Sequence, residues 1–253
     1  MAIDLLNRAY VSEARPQPMP DTSSQEMRCD KYGNQYSVNL YNGMHALAAE
    51  GSMWIATTPT PGTGITGTAA TGTSYSATQA LLVLYNSENQ PTGMSGRRVI
   101  LDFITLICTA AGTASTSCHL AHQVDNGNRY SSGGSALTPV NPNMDIGSAG
   151  AVGKLYAGVV TATASTSAVR FIHRNIAKIA AAPAWLVGDS LTIKFGTQEN
   201  GGASSVSATA AANMTIYAPP IILGPNQSYV LNEWSPARSA AQSFEFIVGW
   251  IER

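Results

Sequence analysis

The chain has 253 residues, of which 11% are charged, and its formal net charge at pH 7 is −1. A near-neutral chain has no sequence-wide attraction for nucleic acid, so we expect no nucleic-acid partner. A chain of this length buries about 70–75% of the surface that its unfolded form exposes, so it needs no disulfide framework. An ordinary soluble domain is about 25% charged. The low charge therefore indicates either a surface covered by neighbouring molecules or a Thr/Ser-rich soluble surface.

The first 35 residues differ in character from the rest of the chain. Pro16 and Pro18 favour an extended backbone, and the apolar residues before them are too few to form a core. We predict an extended N-terminal arm over residues 1–35, which packs on sibling subunits or on its own domain, and a single β-sandwich domain over 36–253. The candidate contact residues of the arm are Leu5, Leu6, Tyr10, Val11, Pro16 and Pro18.

The N-terminus carries an early acid, Asp4, and lacks the long apolar stretch of a secretory signal. No segment approaches the ~20 consecutive apolar residues of a membrane span. We therefore expect a protein made in a cytoplasm, without a membrane partner.

Apolar runs bounded by turn residues predict the strands of the first half. These are Gln35–Tyr41, Ser52–Thr57, Ala80–Tyr85 and Arg98–Cys108, the last being the longest β-branched run and the predicted central strand. Its hairpin partner is predicted at Thr116–Val124, which places Cys108 opposite Cys118. Cross-strand Cβ atoms lie about 4.5–5.5 Å apart, whereas a disulfide needs about 3.8 Å. We expect a reduced apolar pair, with a strained disulfide as the alternative.

Residues 126–154 are rich in Gly, Asn, Ser and Pro and predict a long surface excursion between sheets. Strands are predicted again at 155–163, 168–173 and 214–217, and one or two helical turns at 176–182. The segments 186–195 and 223–231 share one plan, in which an apolar end, a Gly-Asp or Gly-Pro-Asn turn and a Ser precede an alternating strand.

The C-terminal segment alternates Phe244, Phe246, Val248 and Trp250 with Glu245, Ile247 and Gly249. This period of two predicts a strand with one face in a core, which builds the C-terminus into the fold. Together, about eight strands with turn signals and no long amphipathic helix predict an all-β fold. We expect a jelly-roll-like antiparallel β-sandwich, or a related sandwich, with an extended N-terminal arm.

Motifs that suggest chemistry are weak here. Gly62–Gly67 matches G-x-G-x-x-G, but the residues that follow do not predict the helix that a dinucleotide site requires. His119-x-x-His122 lies in a predicted strand, and a Cys108/Cys118/His122 zinc site lacks a fourth ligand. No nucleophile elbow, phosphate loop or paired acids occur. We expect no cofactor, no metal and no enzymatic activity.

Aromatic residues are the remaining binding material. Trp234, at a predicted strand end just before Pro236, is a candidate interface residue. Glycan binding through exposed aromatics needs a cluster of them beside polar groups, and the sequence shows none.

The chain resembles virion structural proteins of tailed bacteriophages, in particular jelly-roll head decoration (cement) proteins. The resemblance rests on the segments 27–34, 50–65, 224–228 and 244–253. It implies a non-enzymatic subunit, made in the host cytoplasm and carried in the virion. Its implied partners are the major capsid protein lattice and sibling copies, often as a homotrimer.

Two other functions are weighed against this one. The first is a tail-associated receptor- or glycan-binding module, which exposed aromatics in residues 58–78 or 126–154 would favour. The second is a cytosolic enzyme, which would require activity that is lost when Cys118 or His122 is changed.

Overall fold

The computed structural model describes residues 43–67, 76–88, 96–112, 117–147, 150–164, 170–179, 185–196, 213–234 and 240–253, with the backbone alone for 117–118 and 170–179. The arm residues Leu5, Leu6, Tyr10, Val11, Pro16 and Pro18 and the strand predicted at 35–41 lie outside these ranges. The described sandwich belongs to one compact unit, Met44–Arg253.

The described elements are one short helix and fourteen strands. In chain order they are α1 Gly43–Ala49, β1 Met53–Thr57, β2 Ile65–Thr66, β3 Gln79–Asn86, β4 Val99–Ala110, β5 Ser117–Asp125, β6 Tyr130–Leu137, β7 Pro139–Val140, β8 Gly153–Ala162, β9 Arg170–Ile179, β10 Ser190–Phe195, β11 Asn213–Ala218, β12 Ile221–Leu223, β13 Ser228–Trp234 and β14 Ser243–Glu252.

The strands form two sheets. The eight-stranded sheet has the order β11-β10-β4-β14-β1-β7, with β12 paired to β4 and β2 paired to β14. The six-stranded sheet has the order β6-β8-β3-β13-β5-β9. Among the described pairs, β10 and β11 are parallel and the others are antiparallel. Successive strands switch repeatedly between the sheets, as in Greek-key sandwiches. The predicted all-β sandwich is confirmed.

One core fills the space between the sheets. The eight-stranded sheet contributes Leu106, Phe246 and Trp250, and the six-stranded sheet contributes Leu84 and Tyr229. Each fully buried large apolar side chain stabilises the fold by about 1.5–3 kcal/mol relative to its exposed state. The alternation predicted for the C-terminal strand is confirmed, because Phe244, Phe246, Val248 and Trp250 are all inaccessible to solvent.

The predicted central strand is confirmed, but its predicted hairpin is wrong. β4 lies between β10 and β14 in the eight-stranded sheet, whereas β5 pairs with β13 and β9 in the other. Cys108 is therefore opposite Phe244, and Cys118 is opposite Lys178. The two cysteines do not form the predicted cross-strand pair; Cys108 is a buried thiol.

Two local predictions are also wrong. Part of the predicted excursion is the edge strand β6, in which Gly133 and Gly134 adopt positive φ angles of 74° and 69°. Glycine adopts these angles without strain, so the strand continues through two register irregularities instead of ending. Most of the segment predicted as helical turns, from Ile176 to Ile179, continues β9, because pairing with β5 overrides the weak helical preference.

Candidate functional site

The outer side of the eight-stranded sheet is unusually apolar. In β4, Leu101, Ile104 and Leu106 belong to the core, and the half-buried residues next to them point outward. Among those outward residues, Ile100 and Ile107 are only half-buried. The solvent side of an antiparallel sandwich is ordinarily polar. Aliphatic residues at these positions therefore indicate a surface with a purpose beyond stabilising the monomer.

The neighbouring strands extend this surface, with Thr57, Thr105 and Glu245 interspersed among its apolar residues. Ile251 of β14 lies between Ile100 of β4 and Met53 of β1 in the register. Cross-strand neighbours have Cβ atoms about 4.5–5.5 Å apart, so their side chains touch. We call the set the apolar face. It comprises Met53, Ile55, Ile100, Phe103, Ile107, Val140, Ile222, Ile247 and Ile251.

Two residues of the apolar face are the most exposed. Val140 is 52% exposed and pairs with Ile55 at the β7 edge of the sheet, and Ile222 is 53% exposed and pairs with Ile100. They therefore mark opposite sides of the face, with β1, β14 and β4 between them.

A glycine lies at the centre of the apolar face, under an aromatic ring. Gly249 lies opposite Phe103, and a Cβ atom at Gly249 would clash with the Phe103 ring. The ring therefore lies over the glycine backbone. The register of the β4–β14 pair shifts directly after this glycine. A ring in this position covers the backbone of β14 there.

The polar groups on this side of the sheet are engaged within the chain. The hydroxyls of Thr105 and Thr192 are 3.1 Å apart, and the Glu245 carboxylate accepts a hydrogen bond from the Gly62 N–H. Burial raises the pKa of Asp102, and the nearby Lys194 opposes that rise. A partner on this side can therefore bury apolar surface without having to satisfy these hydroxyls or the Glu245 carboxylate.

A second feature lies on the outer side of the six-stranded sheet. The rings of Tyr130 and Tyr156 stack with centroids 3.7 Å apart, and Tyr85 lies 6.1 Å and 6.3 Å from them. All three rings are half-buried. Burial raises the pKa of Tyr85 and of Tyr130, and the neighbouring tyrosines raise both further. We call this trio the tyrosine cluster. Lys154 lies opposite Tyr85 in the register.

The candidate interface residue Trp234 ends β13 and is 4% exposed. Its ring stacks on His119 with centroids 5.2 Å apart. Little of the ring is available to a partner in this structure, and its interface role stays a prediction.

The residues weighed for a zinc site are not brought together as a group. His122 faces the core, where its Nδ1 lies 2.8 Å from the Tyr229 hydroxyl. His119 lies on the opposite side of β5, against Trp234, and Cys108 belongs to the other sheet. The described residues contain no group of three or more His, Cys, Asp or Glu side chains that is placed to hold a metal ion.

Sequence reasoning missed the apolar face although a signal was present. Ile247 and Ile251 stand at the outward positions of β14, where an ordinary sandwich would carry polar residues. Ile100 and Ile107 do the same in β4. The sequence pattern did not show that β4 pairs with β14. This pairing joins the outward residues of the two strands into one surface.

No protein-family model, curated protein or solved structure matches this chain. Within the described ranges, no helix has the length and apolar character needed to cross a membrane.

Proposed function

We propose that this chain is a non-enzymatic structural protein of a tailed-phage particle, a capsid decoration or cement subunit that stabilises the head through contacts between subunits. The observation that carries the proposal is the apolar face. Half-exposed aliphatic side chains across one side of a sheet are costly in a free monomer and favourable once a neighbour covers them.

The low charge of the chain supports the same function. Only 11% of its residues are charged, and a subunit covered by neighbours needs fewer charges for solubility than a free protein does. The proposed partners are the capsid lattice and sibling copies, with the homotrimer as the proposed form. The arm over residues 1–35 would add contact area to the shell, at the entropic cost of ordering it.

Immunogold electron microscopy of virions from the source of this sequence tests the proposal. An antibody raised against the chain should label heads. Gold on tails would favour the alternative function described below, and particles free of both gold and the protein would contradict the proposal.

A variant lacking residues 2–21 should fold and fail to bind particles; unchanged binding would contradict the role of the arm.

The tyrosine cluster favours a second candidate, a tail-associated receptor- or glycan-binding module. Tyr130 lies within residues 126–154, where exposed aromatics favour such a module, and it is half-buried at the start of β6, a strand rich in Ser and Gly. Sugar rings pack on aromatic side chains beside polar groups. A glycan array probed with the native chain tests this function. Binding should be lost in Tyr156→Ala and kept in Tyr217→Ala, which removes a half-buried tyrosine from the other sheet.

A further inference from the structure

We infer that the partner of the apolar face is a second copy of this chain, so that two eight-stranded sheets pack face to face. The inference deepens the proposed function and rests on it for its biological role, since it names one partner of that surface. The contact itself is a property of the isolated chain and is tested without a virion.

The side of the sheet that carries the apolar face is nearly large enough for a stable dimer. A strand spacing of about 4.8 Å and a rise of about 3.3 Å per residue, applied to β1, β14, β4 and their flanking strands, give this side a footprint of about 600 Å² per copy, polar positions included. Stable specific interfaces bury about 800 Å² per partner. The largest apolar patch of a typical monomer covers about 300–600 Å² and is often functional.

The shape of the apolar face suits an identical partner. Two sheets that pack face to face stand about 10 Å apart with their strands nearly aligned, and their aliphatic side chains interdigitate. The Phe103 ring lies over the Gly249 backbone in the middle of the face. In a two-fold contact the same patch is used on both sides. Each copy thus supplies the other with an equally apolar surface.

The charges permit this pairing. A net charge of −1 per chain causes little repulsion between two copies. On this side of the sheet, β10 carries the cation Lys194, and β4 and β14 carry the carboxylates of Asp102 and Glu245. The surface therefore carries both signs of charge, which a self-complementary contact can match.

The test uses the full chain and matched lysine substitutions. Val140→Lys and Ile222→Lys, singly and combined, place a charge on the apolar face at positions that are 52% and 53% exposed. Val159→Lys is the control, because Val159 is 54% exposed and belongs to the six-stranded sheet. All three side chains are more than half exposed, so the fold should tolerate each change. Circular dichroism with thermal unfolding checks this.

Sedimentation velocity over a concentration series gives the outcome. The native chain and the Val159→Lys variant should form an assembly with an even number of 26.5 kDa chains, which for the proposed homotrimer is a pair of trimers. The combined variant should form an assembly of half that mass, and each single substitution should weaken association by about tenfold or more, since it buries an unpaired charge.

A native chain that stays monomeric, or a trimer whose mass the combined variant does not change, would overturn the inference. So would a loss of association in Val159→Lys equal to that in the combined variant. Failure of the proposed function is seen separately, as absence of the protein from particles. Normal gold labelling of heads by a chain that is monomeric in solution would reject only the self-contact.

Discussion

The Glu252 carboxylate accepts a hydrogen bond of 2.8 Å from the backbone N–H of Gly153. This bond joins the last residue of β14 in one sheet to the first residue of β8 in the other. The same carboxylate accepts hydrogen bonds from the Val152 N–H at 3.0 Å and from Trp250 Nε1 at 2.9 Å, and Arg97 lies 3.6 Å away. Glu252 is buried, and its hydrogen bonds connect the two sheets. We call this set of contacts the latch.

Removing this latch should destabilise the fold strongly. Glu252→Ala leaves three buried donors without an acceptor, and we expect the free energy of unfolding to fall by about 3–5 kcal/mol. Glu252→Gln keeps one acceptor oxygen and should lose less. Urea unfolding followed by tryptophan fluorescence measures both. Glu50→Gln is the control, because Glu50 forms an exposed ion pair with Arg253 at 2.9 Å and should change stability by less than about 1 kcal/mol. Equal losses at positions 252 and 50 would refute the latch.

Gly153 is required by its contact with Trp250. A Cβ atom at this position would lie 2.6 Å from Trp250 Nε1, so Gly153→Ala should overpack the core and cost about 1–3 kcal/mol. Gly147→Ala is the matched control, because nothing lies within 4 Å of its added Cβ; thermal unfolding should show little change. A midpoint for Gly153→Ala that equals the native one would contradict the close packing.

Asp102 should titrate above its ordinary pKa of 3.8, because burial disfavours its charged form. The folded state then holds this proton more tightly than the unfolded state. The stabilisation is present below the unfolded pKa and is lost as the pH rises through the raised folded pKa. Asp102→Asn should therefore be more stable than the native chain at pH 7.

The charge of Lys194 lowers the pKa of Asp102, so Lys194→Gln should raise that pKa further. Carboxyl-carbon NMR titration measures it directly. A pKa for Asp102 at or below 3.8 in the native chain would show that burial does not disfavour its charge, and a pKa that falls in Lys194→Gln would show that the lysine charge does not lower it.

Arg129 connects two backbone segments, at Ala77 and Thr163, by hydrogen bonds to their carbonyl groups. Its Nε donates to the Thr163 carbonyl and one Nη to the Ala77 carbonyl, each at 2.7 Å, and Asp125 lies 3.8 Å from the other Nη. Arg129 is 2% exposed. Arg129→Met removes both hydrogen bonds to backbone carbonyls and the positive charge beside the buried Asp125 carboxylate, and we expect a loss of about 3–5 kcal/mol.

Arg129→Lys should recover only part of that stability, because an ammonium group cannot reproduce the fork of a guanidinium. The exposed Arg253→Lys is the control and should leave the urea midpoint nearly unchanged. If Arg129→Lys were as stable as the native chain, the fork geometry would not matter.

The amino-acid sequence by itself determined where the long apolar strands lie and which side of the C-terminal strand is buried in the core. Phe244 and Trp250 show this, because a strand with alternating apolar residues has only one orientation that buries all of them, whichever strand lies beside it. Local chemistry also settled turns: the turn between β12 and β13 places Asn226 at a φ of 59°, which asparagine tolerates better than most residues.

Only the tertiary structure decided which strands are neighbours. The pattern of β4 and β5 is the same whether they form a hairpin or lie in opposite sheets, because period-two burial records the side of a strand and not its partner. For this reason the sequence misplaced Cys108 against Cys118. It also left the outward isoleucines of β4 and β14 as two separate stripes. They become a single surface because β4 and β14 pair along their full length. The two strands are far apart in the sequence, so no local pattern predicts that pairing.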